Sequence, residues 1–435
     1  MNIVKATLLS MVLVSCTSNH LEQQVSVPQA NPSVELLEMN HQLPTGNEVV
    51  AIVGATLIDG TGAESVANAT VVIKENLIWA VGPAESVSIP EDAEMIDAAG
   101  LTMLPGLIDA HFHLNNNQLP GLVLSRGTTT LRDPGAWIES YQEVRELQEP
   151  IPRLFLTGPH LDMPPPAYPK NSYLVTDELE AEKAVNRFAD QGATAIKVYF
   201  RLSPTIIEAV CKTADQRGIP VTAHLEITSA TAAINAGVDG IEHITSFGID
   251  LLPTYQAEQY RQSVLADNNA RREGRYQTWS QIDLTSSKVD TLVALLRQQG
   301  TVVSPTLGAF EYRFGEGKSD TLKVTAFQNM MNFVGLLNDA DIPIVTGSHS
   351  WVPYAEVGWA FQREMELLAE SGLSPMEVIV ASTLENARFF RIEQRLGSLE
   401  VGKQADLFLI EGDPLEDLKA LYEVRRVMLN GIWIN

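Results

Sequence analysis

Leu104-Pro-Gly-Leu-Ile-Asp-Ala-His-Phe-His113 begins with a Pro-Gly pair, runs through a short apolar segment and ends in two histidines one residue apart. The apolar residues predict a buried strand over Gly106–Ala110. Strand side chains alternate in direction, so residues two apart point the same way. His111 and His113 therefore reach one point in space while Phe112 packs on the other side. Two converging imidazoles suit zinc and similar ions.

Seven further short apolar runs follow: Thr128–Leu131, Arg153–Leu156, Thr194–Tyr199, Val221–His224, Gly240–His243, Thr301–Ser304 and Ile342–Thr346. Between them lie segments with apolar residues at helical spacing, such as Glu178–Ala189 and Asp290–Gln298. Strand-helix alternation over about 105–389 predicts an α/β chain folded as a (β/α)8 TIM barrel. A doubly wound open sheet would want a Gly-rich phosphate turn after its first strand, and none is present. β-rich stretches flank this middle, at 48–104 and 390–435, and predict a small β-sandwich domain assembled from both termini. A polar and aromatic insertion, Ile249–Lys288, follows the sixth strand and is read as a lid or as surface decoration.

The chain has eight histidines. His20 and His41 precede the first β-like run. The other six, His111, His113, His160, His224, His243 and His349, all fall at or just past the C-terminal end of an expected strand. That rim is where barrel enzymes build their sites. Lys197, in Gly192-Ala-Thr-Ala-Ile-Lys-Val-Tyr199, would place an ammonium inside an apolar strand. Burial depresses such a pKa, and a neutral amine can take up carbon dioxide to become a carbamate, an anionic oxygen ligand. A buried ion pair is the alternative.

The 435 residues are 45% hydrophobic, enough to bury a large core. The formal net charge of -24 argues against nucleic acid or an anionic membrane surface as partners; the expected partner is a small-molecule substrate, and a homo-oligomer is compatible with the sequence. At the N-terminus Lys5 precedes the apolar run Ala6–Val14, too short to span a membrane. The run ends in Leu13-Val-Ser-Cys16, which resembles a bacterial lipobox. The expectation is a signal peptide at 1–15, lipidation of Cys16 and a polar tether at 16–47. Thr17 is not the aspartate that retains lipoproteins at the inner membrane, which points to the periplasmic face of the outer membrane of the bacterial cell envelope. An ordinary signal peptide is the alternative. Cys211 then stands alone, in a helical pattern, as a small buried apolar residue.

The motifs taken together resemble the amidohydrolase superfamily, in particular its imidazolonepropionase-like and Xaa-Pro-dipeptidase-like members. Leu104–His113 is similar to their first strand, Gly127-Thr-Thr-Thr-Leu-Arg-Asp133 to the second, and Ala195-Ile-Lys197 to the strand bearing a carboxylated lysine. Val221-Thr-Ala-His224 and Gly240-Ile-Glu-His243 are similar to the fifth and sixth, and Leu399-Glu-Val-Gly-Lys-Gln-Ala-Asp-Leu407 to the return into the small β domain. The resemblance covers about 48–435. It implies two divalent metals, zinc by default, one held by His111 and His113, the other by His224 and His243, with carboxylated Lys197 between them. Such metals acidify a water and polarise a substrate carbonyl. It implies hydrolysis of an amide bond in a dipeptide or N-acyl amino acid; a lactone or cyclic amide is the close alternative, and a ligand-binding pseudoenzyme the distant one.

One position departs from the pattern. The family ends its eighth strand in an aspartate that binds metal and moves protons. Here the segment reads Ile342-Pro-Ile-Val-Thr-Gly-Ser-His349, and Asp339 and Asp341 precede the strand, at the wrong end. Three readings follow: His349 takes both roles, the site keeps a single metal, or hydrolysis has been lost. Of the remaining rim residues, His160 and Tyr199 are expected to face substrate. Arg201 is expected to clamp a substrate carboxylate, and Arg132 with Asp133 to form a structural ion pair.

Overall fold

A computed structural model describes residues 48–114, 116–314 and 321–434. The signal peptide, Cys16 and the tether lie outside the described residues.

The chain is a mixed α/β protein. Its first strands, β1 (Val49–Leu57), β2 (Val66–Lys74), β3 (Leu77–Pro83), β4 (Glu94–Asp97) and β5 (Leu101–Pro105), join the last, β15 (Leu407–Glu411), β16 (Val424–Leu429) and β17 (Ile432–Trp433), in one eight-stranded sheet. The order is β17-β16-β15-β5-β1-β2-β3, with β4 beside β1. Both termini therefore build one ladder, and the two layers expected of a sandwich are not separate ladders. β15 shows why this sheet is apolar on both faces. Leu407 and Leu409 enter a small core with Ile52, Val71 and Met103, whereas Phe408 and Ile410 enter the large core of the middle region. The period of two thus serves two cores at once. A buried ion pair, Arg153 Nε to Asp406 Oδ2 at 2.7 Å, ties the sheet to that region.

The middle region carries the parallel strands β6 (Leu107–Asp109), β7 (Thr128–Asp133), β8 (Arg153–Leu156), β9 (His160–Asp162), β10 (Ser172–Leu174), β11 (Ile196–Val198), β12 (Val221–Ala223), β13 (Gly240–Glu242) and β14 (Val302–Ser304). They form two ladders, β6-β7-β8 and β10-β9-β11-β12-β13-β14, and not one closed ladder. Isolated backbone hydrogen bonds cross the gaps, from Thr194 N to Leu156 O (2.8 Å), from Ala110 N to Thr346 O (3.0 Å) and from His349 N to His111 O (2.7 Å). The expected eighth strand, Ile342–Thr346, is reduced to one bridge between Val303 and Ile344; Pro343 supplies no donor for a longer ladder. β9 and β10 were not expected, because Pro164, Pro165 and Pro166 between them read as loop.

The helices follow from their ends. Asp177 caps Glu178–Asp190 by accepting from Glu180 N, and Ala181, Ala184, Val185 and Phe188 are buried on its inner face. Ser203 caps Pro204–Arg217, with proline in the first turn and Gly218 at φ +70° closing it. Cys211 is buried on that helix. The insertion after β13 folds into the helices Gly248–Leu251, Thr254–Ala266 and Arg271–Trp279. Trp279 is fully buried against Phe333, so this segment is a packed part of the fold.

Candidate metal centre

The side chains at the C-terminal ends of the parallel strands surround a cavity of about 460 Å³. All six histidines expected at the rim line it, as do Lys197 and Tyr199. His111 and His113 both follow β6, and His160 opens β9 just past β8. His224 and His243 are the first residues past β12 and β13, and His243 leaves its strand at φ +64°. His349 and Ser350 are also left-handed, at φ +58° and +64°. Such backbone in non-glycine residues costs about 1–3 kcal/mol each and collects at functional sites. Gly347 lets the His349 segment approach, since a Cβ there would lie 2.5 Å from the His111 Cβ.

The rings touch one another. Centroids of His111 and His243 are 4.5 Å apart, His224 and His243 4.4 Å, and His113 and His349 4.9 Å. The Nε2 atoms of His111 and His113 are 3.2 Å apart. One ligand atom from each of His111, His243 and His349 falls within 4.8 Å of the others. Burial pushes His111 down to about 4 and holds His224, His243 and His349 well below the usual imidazole range. Neutral rings keep the lone pair a cation needs.

Their orientation is set from behind. Glu242 accepts from His111 Nδ1, and Thr306 Oγ1 lies 2.6 Å from His243 Nδ1, so both Nε2 atoms are left for the cavity. His224 differs: its Nε2 faces Arg275 (3.1 Å) and Glu226 (3.4 Å) and does not join the tight histidine trio. The chemistry and packing of these donors fit a divalent cation at the His111–His243–His349 cluster.

Lys197 is 1% exposed, and its Nζ makes no hydrogen bond. It stands 3.4 Å from Glu242 Oε2, and burial lowers its pKa to about 8 against the pull of that carboxylate. Glu242, like the arginines described below, was not singled out from the sequence. It accepts from Arg132 Nη2 (3.0 Å) and Thr222 Oγ1 (2.7 Å) as well as from His111. Burial alone would raise its pKa, but Lys197, His111 and Arg132 together hold it well below the carboxylate range. Its position in Gly240-Ile-Glu-His243, beside a ligand candidate inside an apolar strand, was the available signal.

Two expectations need correction. Arg132 does not pair with Asp133; neighbours on a strand point to opposite sides, so Arg132 meets Glu242. Asp133 instead accepts from Tyr141 Oη (2.8 Å) and Leu114 N (3.1 Å) and lies 3.4 Å from His113 Nδ1. Arg201 does not face the cavity. Its Nη2 reaches Asn268 Oδ1 (2.6 Å) and Val264 O (3.1 Å), pinning the insertion to the end of β11. The cationic wall comes from the insertion itself, through Arg271, Arg272 and Arg275; their spacing within one helical turn was the missed signal. His160 and Tyr199 do meet, stacked at 4.5 Å along the cavity wall. Asp341 is exposed, on the far side of its segment from His349, and its carboxylate lies 4.0 Å from Arg297.

Residues 102–434 match the amidohydrolase family, and the chain belongs to it. That is a family of hydrolases named for acting on carbon–nitrogen bonds. An imidazolonepropionase of Rhizobium rhizogenes is 46% identical over 54 residues, which span 12% of this chain and 13% of that protein. A crystal structure of a Xaa-Pro dipeptidase with bound methionine superimposes with a TM-score of 0.69 at 22% identity, covering 89% of this chain and 99% of its own. A Bifidobacterium longum structure assigned as a prolidase gives 0.70 at 26% identity, covering 89% and 94%.

Proposed function

We propose that the chain is a metal-dependent hydrolase that cleaves an amide bond in a small molecule such as a dipeptide or N-acyl amino acid. The observation that carries this is the ring of six histidines around buried Lys197, opening into one cavity. We read the parallel strands as the family's barrel. In this reading, which follows the family resemblance, His111 and His113 would hold one divalent ion with His349 in reach of it, His224 would turn from Arg275 and Glu226 to hold a second with His243, and Lys197, carboxylated by carbon dioxide, would add an oxygen ligand. Zinc suits the imidazole donors. When bound, such ions supply Lewis acidity for a water and for the scissile carbonyl. His349, a neutral imidazole on the cavity wall, accepts and returns protons where the family has aspartate. Glu242 keeps His111 in the tautomer that presents Nε2, and Tyr199 and His160, stacked on each other, wall the substrate in on one side.

Elemental analysis of protein purified without chelator is expected to find about two metals per chain, with chelator-sensitive turnover on a panel of dipeptides and N-acyl amino acids. One metal per chain would make the site mononuclear. No metal after supply of zinc and bicarbonate would overturn the hydrolase reading in favour of ligand binding alone.

The lipobox-like Leu13–Cys16 supports lipid anchoring in the cell envelope. Cys16→Ser is expected to move the protein from the membrane to the soluble fraction, checked by fractionation in a bacterial host; an unchanged distribution would rule the anchor out.

A further inference from the structure

We propose that the helix Arg271–Trp279 carries an anion-binding subsite, built on Arg271 and Arg272, that takes the free carboxylate of an N-acylated amino acid. The acyl amide rests on the hydrolase reading above; the anion subsite does not.

Three arginines of that helix line the cavity, and their partners differ. Arg275 is neutralised, with its Nε 2.5 Å from Glu226 Oε1. Arg271 is 2% exposed; its Nη atoms bond the Asn268 carbonyl and Tyr168 Oη, but its Nε has no partner. Arg272 is exposed at the cavity mouth and has no ion-pair partner among the described residues. On the same side, where Tyr168 meets both Arg271 and His160, the His160 Nδ1 is buried and unpartnered. Buried donors without acceptors are costly and uncommon. A carboxylate entering from solvent supplies acceptors to this side of the cavity, and an arginine grips it through two parallel bonds.

The charge balance selects the same ligand. The chain carries a net charge of -24, yet among the described residues the cavity is lined by a single carboxylate, Asp133. That carboxylate is already bonded to Tyr141 and Leu114. With Lys197 and Arg275 balanced by Glu242 and Glu226 behind them, the excess charge of the lining lies on Arg271 and Arg272 and favours an anion there. A dipeptide with a free ammonium would find no acidic group available to hold it. An N-acyl amino acid has the carboxylate and lacks the ammonium, and a cavity of about 460 Å³ accommodates a molecule of that size.

The test uses uncleavable probes and calorimetry on the protein as purified. N-(methylsulfonyl)-L-leucine carries the carboxylate, N-isoamyl methanesulfonamide lacks it, and N-(2-aminoethylsulfonyl)-L-leucine adds an ammonium. The acid is expected to bind at least about 10-fold more tightly than the carboxylate-free probe, in line with a hydrogen bond to a charged group. Arg272→Ala is expected to erase most of that ratio, and Arg272→Lys to keep part of it. A ratio near one, no binding of the acid at millimolar concentration, or a ratio unchanged in Arg272→Ala would overturn the subsite. Equal or tighter binding of the ammonium probe would overturn the N-acyl assignment. No turnover is read, so a chain that hydrolysed nothing would leave this result standing, and an active chain with no carboxylate preference would refute the subsite alone.

Discussion

Alanine in place of His349 is expected to lower kcat by at least about 100-fold, the size of a general acid–base contribution. The ring lies against those of His111, His113 and His243, and its backbone N–H donates to the His111 carbonyl at 2.7 Å. The substitution leaves that main-chain bond in place, so the loss would belong to the side chain. His349→Asp, which restores the residue the resemblance implies, is the informative partner. If the imidazole moves the proton, the aspartate variant regains much of the activity that alanine loses, because a carboxylate at that place can accept and return the proton instead. Steady-state kinetics with metal content measured in parallel separates lost protons from lost metal. A drop of less than about threefold in His349→Ala with full metal would make the residue a bystander.

Glu242→Gln is expected to destabilise the fold by about 3–5 kcal/mol, as breaking a buried charge pair does. Its carboxylate faces Arg132, Lys197 and His111, and neither Arg132 nor Lys197 has another anion in contact among the described residues. In protein stripped of metal and carbon dioxide, where Lys197 is an uncarboxylated amine, glutamine keeps the shape and removes the charge, leaving Arg132 and the Lys197 ammonium uncompensated. Lys197→Met added to Glu242→Gln is expected to recover part of the loss, because one of those cations disappears with the charge that balanced it. Denaturant unfolding of the two single variants and the double variant measures the coupling. Additive effects would show that the three groups do not share one charge.

The histidines and Lys197 that line the cavity were readable because they obey short-range rules. His111 and His113 are two apart on one strand, and His224, His243 and Lys197 each end or occupy an apolar run bounded by turn residues. What escaped detection depends on long-range contact. Glu242 matters through Arg132, which is 110 positions away in the chain. Arg201 looked like a clamp because it follows a strand, and only the folded insertion reveals that Asn268 claims it. The cationic wall was hidden for the same reason: nothing in Arg271-Arg-Glu-Gly-Arg275 says which face will look inward until Trp279 is buried beneath it. The eighth strand was overestimated because its apolar content was counted and its proline discounted.

The eight-stranded sheet also sets the order in which the molecule can be made. β5 pairs on one side with β1 and on the other with β15, whose residues lie about 300 positions downstream; Thr102 Oγ1, for example, donates to the carbonyl of Gly412. A nascent chain can assemble β1 to β5 early, yet one side of β5 stays without its partner until β15, about 300 residues later, has emerged. Pairings of such long sequence separation are slow to form, and an unpaired strand is a template for a neighbouring chain. Folding of this sheet therefore waits for β15, and a chain truncated before Leu407 is expected to be an aggregation hazard rather than a smaller enzyme.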